Sequence, residues 1–460
     1  MKRGRIAVLI PARDGAAYVG ECLESVLGQT RGDLRVVVSD DASSDGTVEV
    51  CRSYAAGDGR VEVLTATARR GWVGNTNALL DHVTEERFVV VAQDDVIAPA
   101  YLDTLDGALT GDAVCAFGDV VGFGERTPVT VHEPWGAARH ERVISFLSGT
   151  PNGVALRGLT RRAVLDRGLR LRPGPFGAFH ADTTYVMELL ALGPVVRVPL
   201  PLYRKRYHPL SVMAATWDAL QGDGAVDAWV SHTVTTMMAT SALGLSRRRR
   251  RAAIAACLDR LVRALQFARG DAGHAWRIEG LKVAVAAALP LVGGGGARSA
   301  QARLDLAVSH RLVALGDASG ARSHAERAIA ADPDYAEART ALAGLLWSAG
   351  DQEAAKFHAD QARRLAPWNP WVRLGVAGVL EGMGDLAAAE TEALAAARLI
   401  PHATGPYLLL TRLAERRGDR AAAQRWLGSA LEYDRDNAQV QRRRDEWTAA
   451  GTAIPTAGAP

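Results

Sequence analysis

Apolar residues in the first 125 positions come in short runs, and a helical pattern lies between one run and the next. The runs are rich in β-branched residues and do not alternate with polar ones, which indicates strands buried on both faces of a sheet. Predicted strands cover residues 6–10, 35–39, 61–65, 88–92 and 114–117, and predicted helices lie near residues 18–28, 47–55, 77–83 and 100–111. This alternation predicts an α/β domain with a mostly parallel sheet. Ligands of such sheets bind beyond the carboxyl ends of the strands, so we expect chemistry in the loops that open at Pro11, Asp40 and Gln93.

The pattern changes after residue 125. Residues 126–210 are punctuated by glycine and proline and contain one clear helix at 182–192. Residues 214–290 are helical and include five consecutive arginines at 247–251, and four glycines at 293–296 form a typical linker. These changes predict boundaries near residues 210 and 298.

The last third of the chain repeats every 34 residues. A glycine followed by an aspartate recurs at positions 316, 350, 384 and 418, and prolines at 333, 367 and 401 and alanines at 328, 362, 396 and 430 keep the same spacing. Gly-Asp fits a helix end and the tight turn after it, proline fits the first turn of the next helix pair, and alanine lets two helices approach closely. The segment resembles the tetratricopeptide repeat over about residues 301–436, with a capping helix at 438–450. The resemblance implies an all-α solenoid that binds peptides or other proteins.

Composition and charge narrow the class of protein. The chain has 460 residues, of which 48% are hydrophobic and 23% charged, as in ordinary soluble domains, and its net charge of +3 is small for a nucleic-acid-binding protein. The four cysteines are widely spaced and form no metal-binding or disulfide pattern. No apolar run reaches the length of a membrane span or of a signal-peptide core. We therefore expect a cytoplasmic protein without a membrane span and without a nucleic-acid partner.

Two acidic pairs follow predicted strands. Asp40 and Asp41 lie in the segment VVVSDDASSDGT, and Asp94 and Asp95 lie in VVVAQDDVIAPAYL. A carboxylate at a strand end is costly unless it is hydrated, hydrogen-bonded or coordinated, so the pairs indicate a polar ligand or a metal ion. The simpler alternatives are that the first pair caps the turn before Thr47 and that the second is an ordinary loop-opening pair.

Three further segments complete the set along the chain: AVLIPARDGAAYVGECLESVLGQT, RRGWVGNTNALL and FHADTTYVMELLALGPVVRVPLPLYRKRYHPLSV. Over its first 210 residues the chain thereby resembles the inverting glycosyltransferases of family 2. The resemblance implies the Rossmann-like GT-A fold. It also implies a metal-dependent enzyme that transfers a sugar from a nucleoside-diphosphate donor, with a UDP-sugar expected first.

The resemblance also implies particular site residues. Contacts with the nucleotide sugar are expected from Pro11, Ala12, Arg13, Asp40, Asp41, Asn77, Gln93 and Arg206. A divalent ion, Mn²⁺ or Mg²⁺, is expected at Asp94 and Asp95, with His208 as either a further metal ligand or a diphosphate contact. In the donor segments two positions depart from the family pattern, because Ala92 replaces the first Asp of Asp-x-Asp and Thr76 replaces an Arg.

Asp182 stands at the position of the family's catalytic carboxylate, with Ala181 where the family commonly has Glu. Inverting transfer needs one general base that takes the proton of the acceptor, and the resemblance assigns that role to Asp182. The alternative for Asp182 is a simple helix N-cap, and the two roles are compatible.

We therefore predict a GT-A domain at 1–210, a helical connector at 211–298 and a tetratricopeptide-like domain at 299–460. The fused repeats imply that the acceptor is a peptide or protein, an envelope glycan or a natural product, held by the repeats, or that the repeats form a homo-oligomer. The alternative function is an inactive scaffold with a degenerate transferase domain, since Thr76, Ala92 and Ala181 all depart from the family pattern.

Overall fold

The structure, a computed structural model, describes residues 4–124, 129–130, 135–149, 152–173, 179–209, 223–267, 274–292, 296–400, 403–433 and 438–449. In these ranges a β-sheet covered by helices is followed by long helices and then by antiparallel helix pairs. None of the described helices combines the length and the apolar content that a membrane crossing requires.

One sheet contains every strand of the described residues, in the order β3-β2-β1-β4-β8-β6-β9-β5, with β7 paired to β6. The strands are β1 (Ile6–Ala12), β2 (Leu34–Asp40), β3 (Val61–Thr65), β4 (Arg87–Val90), β5 (Val96–Ile97), β6 (Cys115–Gly124), β7 (Val129–Thr130), β8 (Leu159–Arg161) and β9 (Val195–Tyr207).

The first four strands form the parallel arrangement that the apolar runs predict. β1 pairs in parallel with β2 and β4, and β3 adds to β2. The apolar side chains of β1, β2 and β4 are buried, as expected of strands covered on both faces. The register places Ala12 opposite Asp40, so the carboxyl ends of β1 and β2 meet at the same edge of the sheet.

The other half of the sheet is mixed. β8 pairs antiparallel with both β4 and β6, whereas β6 and β9 run parallel. The sequence pattern does not predict the 13-residue β9, which contains two prolines and is half-exposed. β9 matters for the site because it pairs with β5, Arg204 facing Val96, and so brings its own end beside Asp94 and Asp95.

Helices cover the sheet and position its loops. They are α1 (Val19–Leu27), α2 (Thr47–Gly57), α3 (Gly71–Asp81), α4 (Tyr101–Ala108), α5 (Arg139–Ser148), α6 (Ala163–Asp166) and α7 (Ala181–Leu192), with a short 3₁₀ turn at Val154–Arg157. α7 is buried along most of its length. It follows His180, whose φ of 51° reverses the chain into the helix.

The connector consists of α8 (Asp223–Ala242), α9 (Arg247–Phe267) and α10 (His274–Val292). α9 packs on α5, and α8 packs on α7. Buried residues of the connector such as Val226, Leu261 and Leu281 belong to the same apolar core as the sheet. The connector therefore extends the core of the first domain, while the predicted boundary at 210 and 211 lies at residues outside the described ones.

The repeats form the helix pairs that the 34-residue period predicts. The helices are α11 (Gly296–Ala314), α12 (Ala318–Ala331), α13 (Ala336–Ser348), α14 (Gln352–Leu365), α15 (Pro370–Gly382), α16 (Leu386–Leu399), α17 (Thr404–Arg416), α18 (Arg420–Tyr433) and α19 (Ala438–Ala449). α19 is the predicted capping helix, and α18 also lies against β7 of the sheet.

Each repeated residue type has a visible role. The glycines at 316, 350, 384 and 418 have φ of 80°, 85°, 82° and 77°, and the aspartate after each accepts a hydrogen bond from the N–H three residues on. The alanines at 328, 362, 396 and 430 are fully buried. Pro333 and Pro367 lie in the turns before α13 and α15 and not in the first helical turn, and Pro401 lies outside the described residues.

Polar contacts join α9 to the repeats. Asp259 accepts hydrogen bonds from Arg303 Nε at 3.2 Å and from Tyr335 Oη at 2.8 Å. On the next turn Arg263 lies 3.9 Å from Glu337 and above the ring of Trp371. Burial, and then the charge of Asp259, raise the pKa of Glu337 to about 7. One face of α9 is thus fixed to the first two helix pairs and to α15.

The left-handed glycines predict a measurable asymmetry. Gly384→Ala should lower the free energy of unfolding by roughly 1 kcal/mol, because alanine is strained at positive φ. Gly378→Ala is the matched control, since Gly378 lies inside α15 with open space around its Cα and alanine favours helices. Urea denaturation followed by circular dichroism measures both. Equal midpoints for the two variants would contradict this account of the repeat turn.

Candidate functional site

The carboxyl end of β2 is closed by its own acidic residues. Asp40 accepts hydrogen bonds from the N–H of Ser43, at 3.0 Å, and from its hydroxyl. Asp41 accepts from the N–H groups of Arg70, at 2.6 Å, and Gly71, at 2.9 Å, and so fixes the start of α3. Both aspartates are buried. Their hydrogen bonds to backbone N–H groups fix the loops around the predicted nucleotide pocket.

Gln93 clamps the end of β4 to the loop after β1. Its side-chain oxygen accepts from Arg13 N at 2.8 Å, and its Nε2 donates to Arg13 O at 2.7 Å. A methyl group on Gly15 would overlap with the Gln93 amide, so the clamp needs glycine there. Arg13 also donates to the carbonyl of Asp41, and Ala12 O accepts from Asp41 N. Pro11, Ala12 and Arg13 are thus held at the edge where the sequence predicts the nucleotide.

Two asparagines of α3 have different partners. Asn77, predicted to contact the donor, uses both ends of its amide on the backbone of Leu171, at 2.9 and 3.0 Å. Asn75 is buried, accepts from Ser39 Oγ at 2.6 Å and donates to Ser39 O at 2.7 Å. The sequence analysis does not single out Asn75, although it joins α3 to the strand end of the site.

Asp94 and His208 come together across 114 positions of the chain. Oδ2 of Asp94 lies 2.9 Å from Nε2 of His208. The imidazole packs on the ring of Tyr18, with centroids 4.5 Å apart, and its Nδ1 is buried without a hydrogen-bond partner among the described residues. Arg206 donates to Asp94 O at 3.0 Å and pairs with Glu21. The predicted metal ligand, the predicted histidine and Arg206 therefore form one cluster.

Asp95 points the other way. Its two oxygens accept hydrogen bonds from Tyr203 Oη and from Arg206 N, both at 2.8 Å, and Arg157 lies 3.6 Å away. Burial raises the pKa of Asp95, opposed by Arg157 and reinforced by Asp94. Because both oxygens are used within the protein, the arrangement gives Asp95 a positioning role, holding β9 against the Asp94 loop.

Asp182 lies in the first turn of α7, where Oδ1 accepts from Thr183 N at 2.8 Å. Its other oxygen faces Gly153, and a methyl group there would lie far inside van der Waals contact with the carboxylate. The field of Asp182 reaches Arg157, Lys205 and Arg260. Asp182 therefore lies at a convergence of cations that come from three separate parts of the chain.

Two of these cations link Asp182 to the Asp94 side of the site. Burial lowers the pKa of Lys205 to about 8, with Arg157 acting in the same direction and Asp95, Asp182 and Asp94 opposing. Burial also lowers the pKa of Arg157, but Tyr203, Asp95 and Asp182 together hold it above its ordinary value. Neither residue is predicted from the sequence. Lys205 carried a weak signal, because it is one of only four lysines in a chain with 54 basic residues.

Aromatic rings pack together beside α7, and we call the group of Phe179, His180, Trp229 and His232 the aromatic wall. The rings of Phe179 and His180 lie 5.2 and 4.8 Å from the ring of Trp229, and His232 lies 5.2 Å from His180. Arg260 of α9 stacks over Trp229 at 5.2 Å, and its Nη1 lies 3.0 Å from His232 Nε2. Sequence patterns assign these connector residues to helix packing, which explains why they were missed.

Among the described residues, no cluster of three or more His, Cys, Asp or Glu side chains could hold a metal ion alone. A divalent ion at Asp94 and His208 would need further oxygen ligands, and the diphosphate of a nucleotide sugar supplies such oxygens. The carboxylate of Asp94 and the adjacent Nε2 of His208 are compatible with that combination.

The strand ends, the acidic step after β4 and the carboxylate at the start of α7 define a GT-A-type glycosyltransferase domain. Residues 7–168 match the model of glycosyl transferase family 2, so this part of the chain is similar to that family. Residues 312–357 match a tetratricopeptide-repeat model.

Individual relatives cover limited parts of the chain. Glycosyltransferase GlyG of Streptococcus pneumoniae is 29% identical over 100 residues, which are 22% of this chain and 33% of GlyG. The GalNAc(5)-diNAcBac-PP-undecaprenol beta-1,3-glucosyltransferase of Campylobacter jejuni is 29% identical over 102 residues, again 22% and 33% of the two chains. The match thus spans about a third of the length of these relatives.

A solved structure extends the likeness in fold. TarS 1–349 of S. aureus in complex with UDP-GlcNAc has a TM-score of 0.52 and 16% identity, over 70% of this chain and 90% of that one. At this identity the likeness concerns the fold.

The buried histidine of the aromatic wall predicts an acid sensitivity. Burial, and then the charges of Arg260 and His180, lower the pKa of His232 well below its ordinary value. The unfolded chain takes up this proton near pH 6.5 and the folded protein does not, so stability is lost as the pH falls below that value. The expected slope is up to about 1.4 kcal/mol per pH unit.

His232→Gln keeps an acceptor for Arg260 and should reduce the loss of stability between pH 7.5 and pH 5, measured by urea denaturation at each pH. His82→Gln is the control, since His82 is exposed. An identical pH dependence in H232Q and the wild type would show that His232 protonates freely in the folded state.

Proposed function

We propose that this chain is a metal-dependent inverting glycosyltransferase that uses a nucleoside-diphosphate sugar. The observation that carries the proposal is the Asp94–His208 pair at the carboxyl edge of the sheet, within a domain similar to glycosyl transferase family 2. UDP-sugars are the first donors to test, because the TarS structure of similar fold holds UDP-GlcNAc. A bound Mn²⁺ or Mg²⁺ would supply charge neutralisation for the departing diphosphate.

The donor side of the site would act by positioning. The loops closed by Asp40, Asp41 and Gln93 present backbone groups to the nucleotide, and Asp94 and His208 would hold the cation against its diphosphate. Arg206 donates to Asp94 O and lies over the rings of Tyr18 and Phe123, and it is positioned to face the same negative charge.

On the acceptor side Asp182 would take the proton from the acceptor hydroxyl. The acceptor oxygen then forms a bond to the anomeric carbon from the face opposite the diphosphate. The bond from that carbon to the phosphate oxygen breaks, and its electron pair leaves with the nucleoside diphosphate. One carboxylate suffices for this inverting step.

The donor site can be tested through Asp94. UDP with Mn²⁺ should raise the Tm of the wild type, while UDP with a chelator should not. At about 100 times the Kd a ligand adds about 2.7 kcal/mol of stability, which is readily measured. Asp94→Asn should abolish the metal-dependent shift, and Asp112→Asn, which changes an exposed aspartate, should not. An unchanged shift in D94N would remove Asp94 from the metal site.

The general base can be tested at two positions. Asp182→Asn should lower UDP release from UDP-sugars by about 10²–10⁴-fold and leave the UDP–Mn²⁺ shift intact. Gly153→Ala should force the carboxylate aside and lower the rate by about 10²-fold, because reacting groups tolerate little displacement.

Gly107→Ala is the control for the second variant, since Gly107 lies in α4 with open space around it. Wild-type rates in D182N would exclude the base assignment. Absent UDP release together with an absent metal-dependent shift in the wild type would favour the inactive scaffold.

A further inference from the structure

Arg260 is half-buried, and among the described residues no carboxylate forms an ion pair with it. Its guanidinium stacks on Trp229, and Nη1 meets the ring nitrogen of His232 at 3.0 Å. Two other arginines of this region differ, because Arg303 reaches Asp259 at 3.2 Å and Arg263 lies 3.9 Å from Glu337. A guanidinium that is withdrawn from water and forms no direct ion pair is costly, and such groups cluster at functional sites.

The two histidine rings beside Arg260 carry no charge near pH 7. Burial lowers the pKa of His180 to about 3 and that of His232 well below its ordinary value, so both rings are neutral near pH 7. Burial also lowers the pKa of Arg260 to about 10, so the guanidinium stays charged there. The cluster of Arg260, Trp229, His180 and His232 therefore carries one positive charge, that of Arg260.

The cluster lies on the acceptor side of the proposed site. Thr183, the residue after Asp182, has its hydroxyl 3.4 Å from His232 Nε2, the same nitrogen that meets Arg260. Of the site carboxylates, Asp182 is the one whose charge acts on Arg260, whereas Asp94, Asp95 and Asp182 all act on Lys205. Arg260 is thus placed near the proposed base and away from the donor diphosphate.

We propose that Arg260, with Trp229 and His232, binds an oxyanion carried by the acceptor, that is a phosphate or a carboxylate group near the hydroxyl that receives the sugar. The inference rests on the proposed function, because it takes Asp182 as the base. A guanidinium offers five N–H donors in a planar fork that suits such oxygens, and one nitrogen is engaged by His232. The guanidinium carbon lies 5.2 Å from the centroid of the Trp229 ring, so this ring covers one side of the fork.

The test uses inorganic phosphate and acetate as probes on the full chain, at constant ionic strength set with chloride. The Kd of each anion is obtained from the rise in Tm with its concentration. At least one of the two should stabilise the wild type, and Arg260→Gln should weaken that binding by about tenfold or more, the loss expected for a charge-assisted contact. Arg249→Gln removes one exposed charge from the same helix and should change nothing.

If the glutamine variant does not fold, Arg260→Lys decides, because lysine keeps the charge and loses the fork. Equal Kd values in the wild type and the folded Arg260 variant, or no stabilisation of the wild type by either anion, would overturn the site. Stabilisation by one anion and not by the other identifies the group. The UDP–Mn²⁺ shift, measured in parallel, should persist in R260Q, and its absence in the wild type would instead refute the donor site.

Discussion

The site depends on hydrogen bonds from side chains to the backbone, which hold together the loops that follow β1, β2 and β4. Gln93 holds the loop after β1 by both its N–H and its carbonyl, Asn75 holds the end of β2, and Asp41 holds the start of α3. Each bond joins segments that are about 30 to 80 positions apart in the chain. Without these clamps the loops would carry unsatisfied backbone groups at a buried edge, and Asp94 would have no fixed direction.

Helix α9 connects this site to the repeats because its two faces have different partners. Arg260 faces α7 and the aromatic wall, while Asp259 and Arg263 face Arg303, Tyr335, Glu337 and Trp371 of the solenoid. Arg263 also donates to the carbonyl of Ser148 at the end of α5. Part of the repeat surface is thus engaged by the chain itself, so an acceptor or a second copy would have to use the remainder.

Elements whose pattern depends on neighbouring residues can be predicted from the sequence. The apolar runs predicted β1, β2 and β3 to within two residues at each end, and the 34-residue period predicted the helix pairs, because both patterns depend on neighbouring positions. The sequence pattern does not predict β8 or β9, because a three-residue strand and a proline-containing strand are stabilised by partners far along the chain. At the site the acidic pair Asp94-Asp95 was recognised, but sequence could not tell that only one of the two turns outward. Arg157, His232 and Arg260 reach the site through tertiary packing, which no spacing encodes.

The columns of fully buried alanines in the repeats have a consequence for how such a chain can change length. Ala328, Ala362, Ala396 and Ala430 hold equivalent places, and each apolar cluster of the solenoid joins only adjacent helix pairs. An insertion of one or two residues inside a helix would rotate the alanine out of its contact and put a larger side chain there. A whole repeat can be added or lost with every contact type preserved. Viable length variants of this domain should therefore differ by whole multiples of the period, with α19 kept at the end.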